Sequence, residues 1–242
     1  MSSTPQDLKY KRILLKLSGE SLAGSNQSGI DPETLKQFVL EVKQVVDLGL
    51  QVGVVIGGGN IFRGLSKNAK SMDRVTADQM GMLATIINSL ALKDAFIKAG
   101  LSAHVMTASQ MIDFAEPFVK SVALTHLSNG HVVIFGGGTG NPYFTTDTAA
   151  VLKAVEIEAD VILKGTRVDG VYDSDPEQNK NAVKFDNLDY IEVVNRKLKV
   201  MDSTAITLSM DNALPIIVFN FNKKNNLMRV VCGENIGTKV QG

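Results

Sequence analysis

Short runs of β-branched and aliphatic residues alternate along the chain with longer stretches whose apolar residues recur every three or four positions. The runs RILLKL (12–17), QVGVVI (51–56), SAHVM (102–106), HVVIF (131–135), DVILK (160–164) and PIIVF (215–219) predict strands. The stretches between them predict helices over 32–48, 74–99, 116–129, 147–158, within 189–212 and over 225–232. Strand, helix and strand repeated in this way predict an α/β fold, an open and mainly parallel sheet sandwiched between helices. Helix punctuation agrees: Asp31 precedes Pro32 as N-cap and first helical residue, and Gly49 and Gly100 stand where C-terminal glycines belong. The Asp-, Asn- and Gly-rich segment 166–187 predicts a long surface loop or hairpin between two lobes.

One stretch breaks the amphipathic pattern. Residues 79–92, QMGMLATIINSLAL, carry no charge over about four helical turns, so this helix is expected to be covered on both sides. Two arrangements satisfy that: a central core helix, or a helix packed on its counterpart in a second subunit.

With 242 residues and 44% hydrophobic content, the chain can bury a large core, and a single domain over 1–242 is expected. Lys plus Arg and Asp plus Glu both number 25, which argues against a broad nucleic-acid or membrane surface, so any anion site must be local. The lone cysteine, Cys232, excludes an intramolecular disulfide framework and suits a reducing compartment. The polar N-terminus, MSSTPQDLKYKR, lacks the apolar core of a signal peptide; a cytoplasmic protein is expected.

In open parallel sheets ligands collect at the carboxyl ends of strands. Here those ends share a theme: Lys16-Leu17-Ser18-Gly19, then Gly57-Gly58-Gly59-Asn60 with Arg63, then Gly136-Gly137-Gly138-Thr139-Gly140-Asn141-Pro142, then Lys164-Gly165-Thr166. A lysine closing an otherwise apolar strand is costly to desolvate, so an anionic partner is expected for Lys16 and Lys164. Thr145-Thr146-Asp147 reads as a helix N-terminus suited to a phosphate, with Asp147 either capping the helix or orienting a lysine. Glycine turns, hydroxyls and cations on one sheet edge point to several phosphates and so to phosphoryl transfer, which relies on cationic positioning with Mg²⁺. The P-loop and G-x-G-x-x-G templates do not fit residues 57–64, and no H-E-x-x-H, C-x-x-C or G-x-S-x-G is present. The three histidines, His104, His126 and His131, show no ligand spacing and are expected to be structural. No metal-ligating side chain is assigned.

The motifs Lys16-Leu17-Ser18-Gly19-Glu20, VVIGGGNIFRG (54–64), Asp78, GTGNPYFTTDTAA (138–150) and LKGTRVDGVYDSDP (163–176), in this order, closely resemble those of the bacterial uridylate (UMP) kinases, members of the amino acid kinase fold family. The resemblance runs from about residue 10 to the C-terminus, and GTGNPYFTTD is its most specific part. It implies ATP-dependent phosphorylation of UMP, with an acceptor side over roughly 1–165 and an ATP side over roughly 166–242. Lys16, Leu17, Ser18 and Gly19 would bind ATP phosphates, Gly59 and Arg63 would contact ATP, and Thr166, Tyr172 and Asp175 would form its base and ribose side. Gly58 would hold UMP, Asp78 would accept its ribose hydroxyls, and Thr139, Gly140, Asn141, Pro142, Tyr143, Phe144, Thr145 and Thr146 would surround uracil and acceptor phosphate. Lys16 and Lys164 resemble the two transition-state cations, with Asp147 orienting them; Asp202 would lie near the nucleotide or metal. The resemblance further implies a homo-oligomer, a hexamer, with UTP as feedback inhibitor. GTP activation in the family uses arginines and a histidine at a subunit interface, and the corresponding positions here hold residues such as Lys93, Ile97 and His104, a departure from that pattern. Two rival readings are a kinase of a small carboxylate or carbamate on the same fold, and a nucleotide sensor without catalysis.

Overall fold

The computed structural model describes residues 7–26, 28–62 and 72–242. In chain order these form β1 (Arg12–Leu17), a 3-10 turn (Gly19–Leu22), α1 (Pro32–Val46), β2 (Gln51–Ile56), α2 (Arg74–Lys98), β3 (Ala103–Thr107), β4 (Glu116–Pro117), α3 (Lys120–Ser128) and β5 (Val132–Gly136). Then follow α4 (Thr146–Glu156), β6 (Val161–Thr166), β7 (Asn187–Leu188), α5 (Tyr190–Asn195), α6 (Ser203–Asp211), β8 (Ile216–Asn220), α7 (Asn226–Val231) and β9 (Thr238–Val240). The strands make one sheet in the order β4-β3-β5-β2-β1-β6-β8-β9-β7, parallel throughout except where β9 runs against β8. This is the open, mainly parallel sheet between helices that the alternation predicts.

Period-two alternation sorts the core into two layers. Ile13, Leu15 and Leu17 of β1 point towards Val39 and Val42 of α1, Leu92 and Phe96 of α2 and Val230 of α7. Leu14 points the other way, into a layer with Ala123 and Leu127 of α3, Ala150 and Ala154 of α4 and Ile206 of α6. Each such fully buried aliphatic side chain contributes about 1.5–3 kcal/mol. Lys16 shares the face of Leu14 and is therefore directed to the helix layer that contains α4.

Several boundaries differ from the periodicity. The helix expected from 116 begins only at Lys120, because Glu116 and Pro117 pair with Met106 and Thr107 as an edge strand, where a proline costs no ladder bond. The two- and three-residue strands β7 and β9 are too short to carry a period. Segment 166–187 is largely irregular and is pinned by an antiparallel bridge between Tyr172 and Lys184. The expected caps are present: Asp31 accepts from Thr34 N, and Gly49 and Gly100 have φ of 92° and 84°.

Helix α2, 25 residues, is by length and composition apolar enough to cross a bilayer, yet one side of it, including Ala84, Ile86, Leu92 and Phe96, is buried in this chain. The other side leaves Leu83 and Ile87 exposed at 49% and 50%, so among the described residues the helix is covered on one face only. The expectation of cover on both sides is not met by a core position inside one subunit.

Candidate active site

Strands β1 and β6 are adjacent, parallel and in register, with Lys16 opposite Lys164. Their two ammonium groups therefore project side by side from the carboxyl ends of the sheet, where mutual repulsion demands an anion. Asp147 supplies it from the first turn of α4. Its carboxylate bridges the pair, one oxygen on Lys16 Nζ and the other 2.9 Å from Lys164 Nζ. Lys164 Nζ also donates to the carbonyl of Val200. The side chains of Lys16, Lys164 and Asp147 are only 8%, 15% and 16% exposed, so this triad carries one excess positive charge in a poorly solvated place.

The environment tunes two of the three. Burial alone pushes the Asp147 carboxyl up, but Lys16 and Lys164 outweigh it and hold the group below the ordinary carboxylate range. Burial, reinforced by the neighbouring Lys16, pushes Lys164 below the ordinary lysine range against the pull of Asp147.

The sequence around the triad builds a rigid frame. Thr145 is the N-cap of α4, its hydroxyl accepting from Asp147 N at 3.0 Å and Thr148 N at 3.4 Å. That hydroxyl donates to Asp202, whose carboxylate also takes Thr148 Oγ1 at 3.0 Å and Ala205 N at 2.9 Å, capping α6. Asp202 thus ties two helix N-termini together beside the lysines. Two cations and a helix N-terminus gathered round one carboxylate leave an excess of positive charge, a setting that favours a further anion such as phosphate.

Several cavities open along this edge. One of about 300 Å³ is lined by Lys16, Leu17, Ser18, Lys164 and Thr166. A second, of about 200 Å³, is lined by Gly58, Gly59, Asp78, Thr139, Phe144, Thr145 and Thr146, with Arg74 and Thr85. A third, of about 440 Å³, lies between Tyr172 and Asp175 on one side and Lys197, Leu198 and Lys199 on the other. Gly59, expected with ATP, thus lines the same cavity as Asp78. Gly140, Asn141, Pro142 and Tyr143 form the link between the two lined stretches, with Gly140 at φ 78° and Tyr143 at φ 71°. Arg63 lies outside the described residues.

The glycines are explained chiefly by packing. A Cβ at Gly19 would lie 2.4 Å from the Gly57 carbonyl oxygen, and one at Gly58 would lie 2.7 Å from Ala84 Cβ and 2.9 Å from the Gly81 carbonyl oxygen of α2. The turns after β1 and β2 are thus pressed on each other and on α2. A buried amide pair locks them: Asn88 Nδ2 donates to the Gly57 carbonyl at 2.7 Å and to Asn60 Oδ1 at 2.8 Å, while Asn60 Nδ2 donates to Asn88 Oδ1 at 3.0 Å and to the Gly29 carbonyl at 2.8 Å. The turn after β5 is held in the same way, Gly137 N donating to Thr85 Oγ1 at 2.9 Å.

Asp78 is already engaged. Arg74 Nε contacts its two carboxylate oxygens at 2.9 and 2.8 Å, and Tyr143 N donates to it at 2.7 Å. The Arg74 guanidinium also lies 5.2 Å from the centre of the Tyr143 ring. Sequence reasoning missed Arg74, Thr85 and Asn88; the i,i+4 spacing of Arg74 and Asp78 on one predicted helix was an available signal for the first.

The histidines, expected to be structural, come together in the fold. Although 104, 126 and 131 have no ligand spacing in sequence, each ring offers a nitrogen and these three atoms lie within 4.8 Å of one another.

Comparison with known proteins places this geometry. The model of the amino acid kinase family matches residues 11–220. The crystal structure of UMP kinase from Bacillus anthracis is 43% identical with a TM-score of 0.92, covering 96% of each chain. UMP kinase from Ureaplasma parvum is 36% identical with a TM-score of 0.90, over 97% of this chain and 100% of that one. Uridylate kinase from Archaeoglobus fulgidus is 30% identical with a TM-score of 0.73, over 94% and 99%.

Proposed function

Because this chain belongs to the amino acid kinase family, we propose that the triad of Lys16, Asp147 and Lys164 transfers the γ-phosphoryl group of ATP to UMP, giving UDP for pyrimidine nucleotide synthesis. The observation that carries the reading is the pair of buried ammonium groups held in register by one carboxylate, next to a cavity that contains Asp78. The UMP kinase relatives supply the identity of the acceptor.

In this reading UMP occupies the cavity of Gly58, Asp78, Thr139 and Phe144, within the part of the chain up to about residue 165. Asp78 accepts the ribose hydroxyls, with Arg74 fixing its orientation. The N-terminus of α4 at Thr145 and Thr146 receives the acceptor phosphate, which at neutral pH is already an anion and needs no strong base. ATP lies on the side of residues 166–242: its base and ribose between Tyr172 and Asp175 and the 197–199 segment, its phosphates along Lys16 and Ser18, with Thr166, expected on the base and ribose side, lining the same cavity as these two. The two lysines face charge that spreads over the equatorial oxygens of the moving group, and Asp147 keeps both aimed at it. Asp202 acts by fixing the N-termini of α4 and α6.

The donor set fits Mg²⁺ brought in on ATP. Asp147 and Asp202 offer hard carboxylate oxygens, but both are engaged by Lys16, Lys164, Thr145 and Thr148, so these residues would hold the ion mainly through water while phosphate oxygens ligate it. When bound, the ion neutralises charge on the β- and γ-phosphates.

The exposed Leu83 and Ile87 of α2 support a homo-oligomer, a hexamer in this reading, acting in the cytoplasm. UTP, which shares the uridine of UMP, would inhibit by competing for the acceptor cavity. A carboxylate or carbamate acceptor has no ribose for Asp78 to read, and a sensor needs no second buried cation. A coupled ADP-release assay with UMP, CMP, dUMP, aspartate and carbamate as acceptors tests the reading. UMP is expected to turn over fastest, and faster turnover of aspartate or carbamate would overturn it.

A further inference from the structure

The three histidines meet far from the phosphoryl chemistry. His104 is the second residue of β3 and His131 immediately precedes β5, so both stand at the amino ends of parallel strands, at the sheet edge opposite the glycine turns. His126 approaches from the last turn of α3.

Local sequence sets two of them side by side. Helix α3 ends at Asn129, Gly130 follows with φ of 75°, Gly130 N donates to the Leu127 carbonyl at 3.0 Å, and His131 N donates to the His126 carbonyl at 3.0 Å. This is a Schellman stop, which returns the chain over the last helical turn and leaves His131 beside His126 through backbone bonds alone. The pairing of β3 with β5 then brings in His104, whose Nε2 lies 3.2 Å from His131 Nδ1. Two imidazole nitrogens on one tetrahedral ion, each about 2.0–2.1 Å from it, lie about 3.3–3.4 Å apart.

Glu116 of β4 sits behind two of the rings, its carboxylate 2.8 Å from His104 Nδ1 and 3.1 Å from His126 Nε2. As an ionised acceptor it fixes both tautomers, protonating the nitrogens that face it and leaving lone pairs on His104 Nε2 and His126 Nδ1. A carboxylate behind a ligating imidazole is the arrangement that orients histidines in metal sites. The His104 and His131 ring centroids lie 5.2 Å apart, as two ligands of one ion require, whereas the His126 ring stacks on His104 at 3.5 Å and must turn for its free nitrogen to converge on the same ion; the His104 and His126 side chains are 26% and 17% exposed, which leaves room for that turn.

We propose that His104, His126 and His131, oriented by Glu116, form a binding site for a divalent transition-metal ion of the imidazole-binding kind, for which Zn²⁺ is the probe. Bound there, the ion cross-links β3, α3 and the turn before β5 at the edge of the sheet. Its positive charge falls at the carbonyl end of α3, where the helix dipole favours a cation.

The test uses the full chain, stripped with chelator and titrated with Zn²⁺ by calorimetry without nucleotide, alongside X-ray absorption at the zinc edge. One Zn²⁺ per chain with micromolar or tighter affinity is expected, with imidazole scattering at about 2.0–2.1 Å. His104→Gln and His131→Gln should each abolish that stoichiometric event, and Glu116→Gln should weaken it about 10–100-fold. Thermal melts in chelator identify any variant that fails to fold, and His126→Gln then takes its place. Absence of a one-to-one event in the wild type, zinc without imidazole ligands, or wild-type affinity in two folded histidine variants would each overturn the site.

Discussion

The buried amide pair of Asn60 and Asn88 is the part of the site whose energetics can be worked most directly. Asn88 is fully buried and Asn60 is 1% exposed, so neither amide can turn to water when its partner is removed. Asn88→Ala deletes the bond to the Gly57 carbonyl and both bonds to Asn60, three in all. At about 1 kcal/mol each, the loss should be about 3 kcal/mol. Asn60→Ala deletes the same two reciprocal bonds and the one to Gly29, again three. Only four distinct bonds exist between them, so the double variant should lose about 4 kcal/mol instead of the roughly 6 that additivity requires, a coupling of about 2 kcal/mol. Urea unfolding followed by circular dichroism at one fixed protein concentration measures all four species, the fixed concentration being needed because assembly would shift the midpoint. Steady-state kinetics on the same samples should show raised KM values, since the Gly57 to Asn60 turn would no longer be held against α2. Additive losses, or an Asn88→Ala cost under about 1 kcal/mol, would refute the brace.

Lys16→Met and Lys164→Met should each lower kcat by about 10²–10³ with smaller changes in KM, and the double variant should lose less than the product; a folded Lys16→Met enzyme with near wild-type kcat would remove the cation pair from the chemistry. Lys164, depressed by burial and by Lys16, gives up its proton as pH rises before an ordinary lysine does, so kcat/KM at low ATP and UMP should fall on an alkaline limb below about 10.4, and a limb at or above that value would contradict the assignment. Asp78→Ala should raise KM for UMP while sparing KM for ATP, and the wild type should prefer UMP to dUMP; equal effects on both substrates would make Asp78 a structural residue. Ile87→Glu should shift light scattering from oligomer towards monomer, whereas a stable wild-type monomer at micromolar concentration would leave the exposed face of α2 without that role.

The large elements were legible because each apolar run of five or six residues is long enough to declare its period. Lys16 and Lys164 stood out for a related reason: a lysine closing an otherwise apolar strand has to be accounted for. Their register was not legible, since which strands lie side by side depends on the crossovers and not on either strand. Asn88 was hidden as one of several neutral polar residues in the uncharged stretch 79–92, where nothing local separates a brace from a tolerated side chain. The same limit concealed the histidines, whose proximity arises from a helix stop at Gly130 together with the pairing of β3 and β5. The glycines of 57–59 carried a signal with a second source: beside the open backbone they offer a phosphate, Gly57 and Gly58 are required by contacts with Gly19 and Ala84, which only the folded chain shows.

Asp78, Thr85 and Asn88 all lie on α2, and each fixes a different piece of the proposed nucleotide pocket: the Tyr143 backbone, the turn after β5 and the turn after β2. Leu83 and Ile87 lie on the same helix, turned outward. A helix is stiff along its axis, and a slide by one residue is only about 1.5 Å. Any displacement of α2 would therefore be carried to all three of these pieces at once, as lobes on one camshaft turn together. A substitution at Leu83 or Ile87 that displaced α2 would consequently disturb the turns after β2 and β5 together, and neither could be adjusted from that face alone.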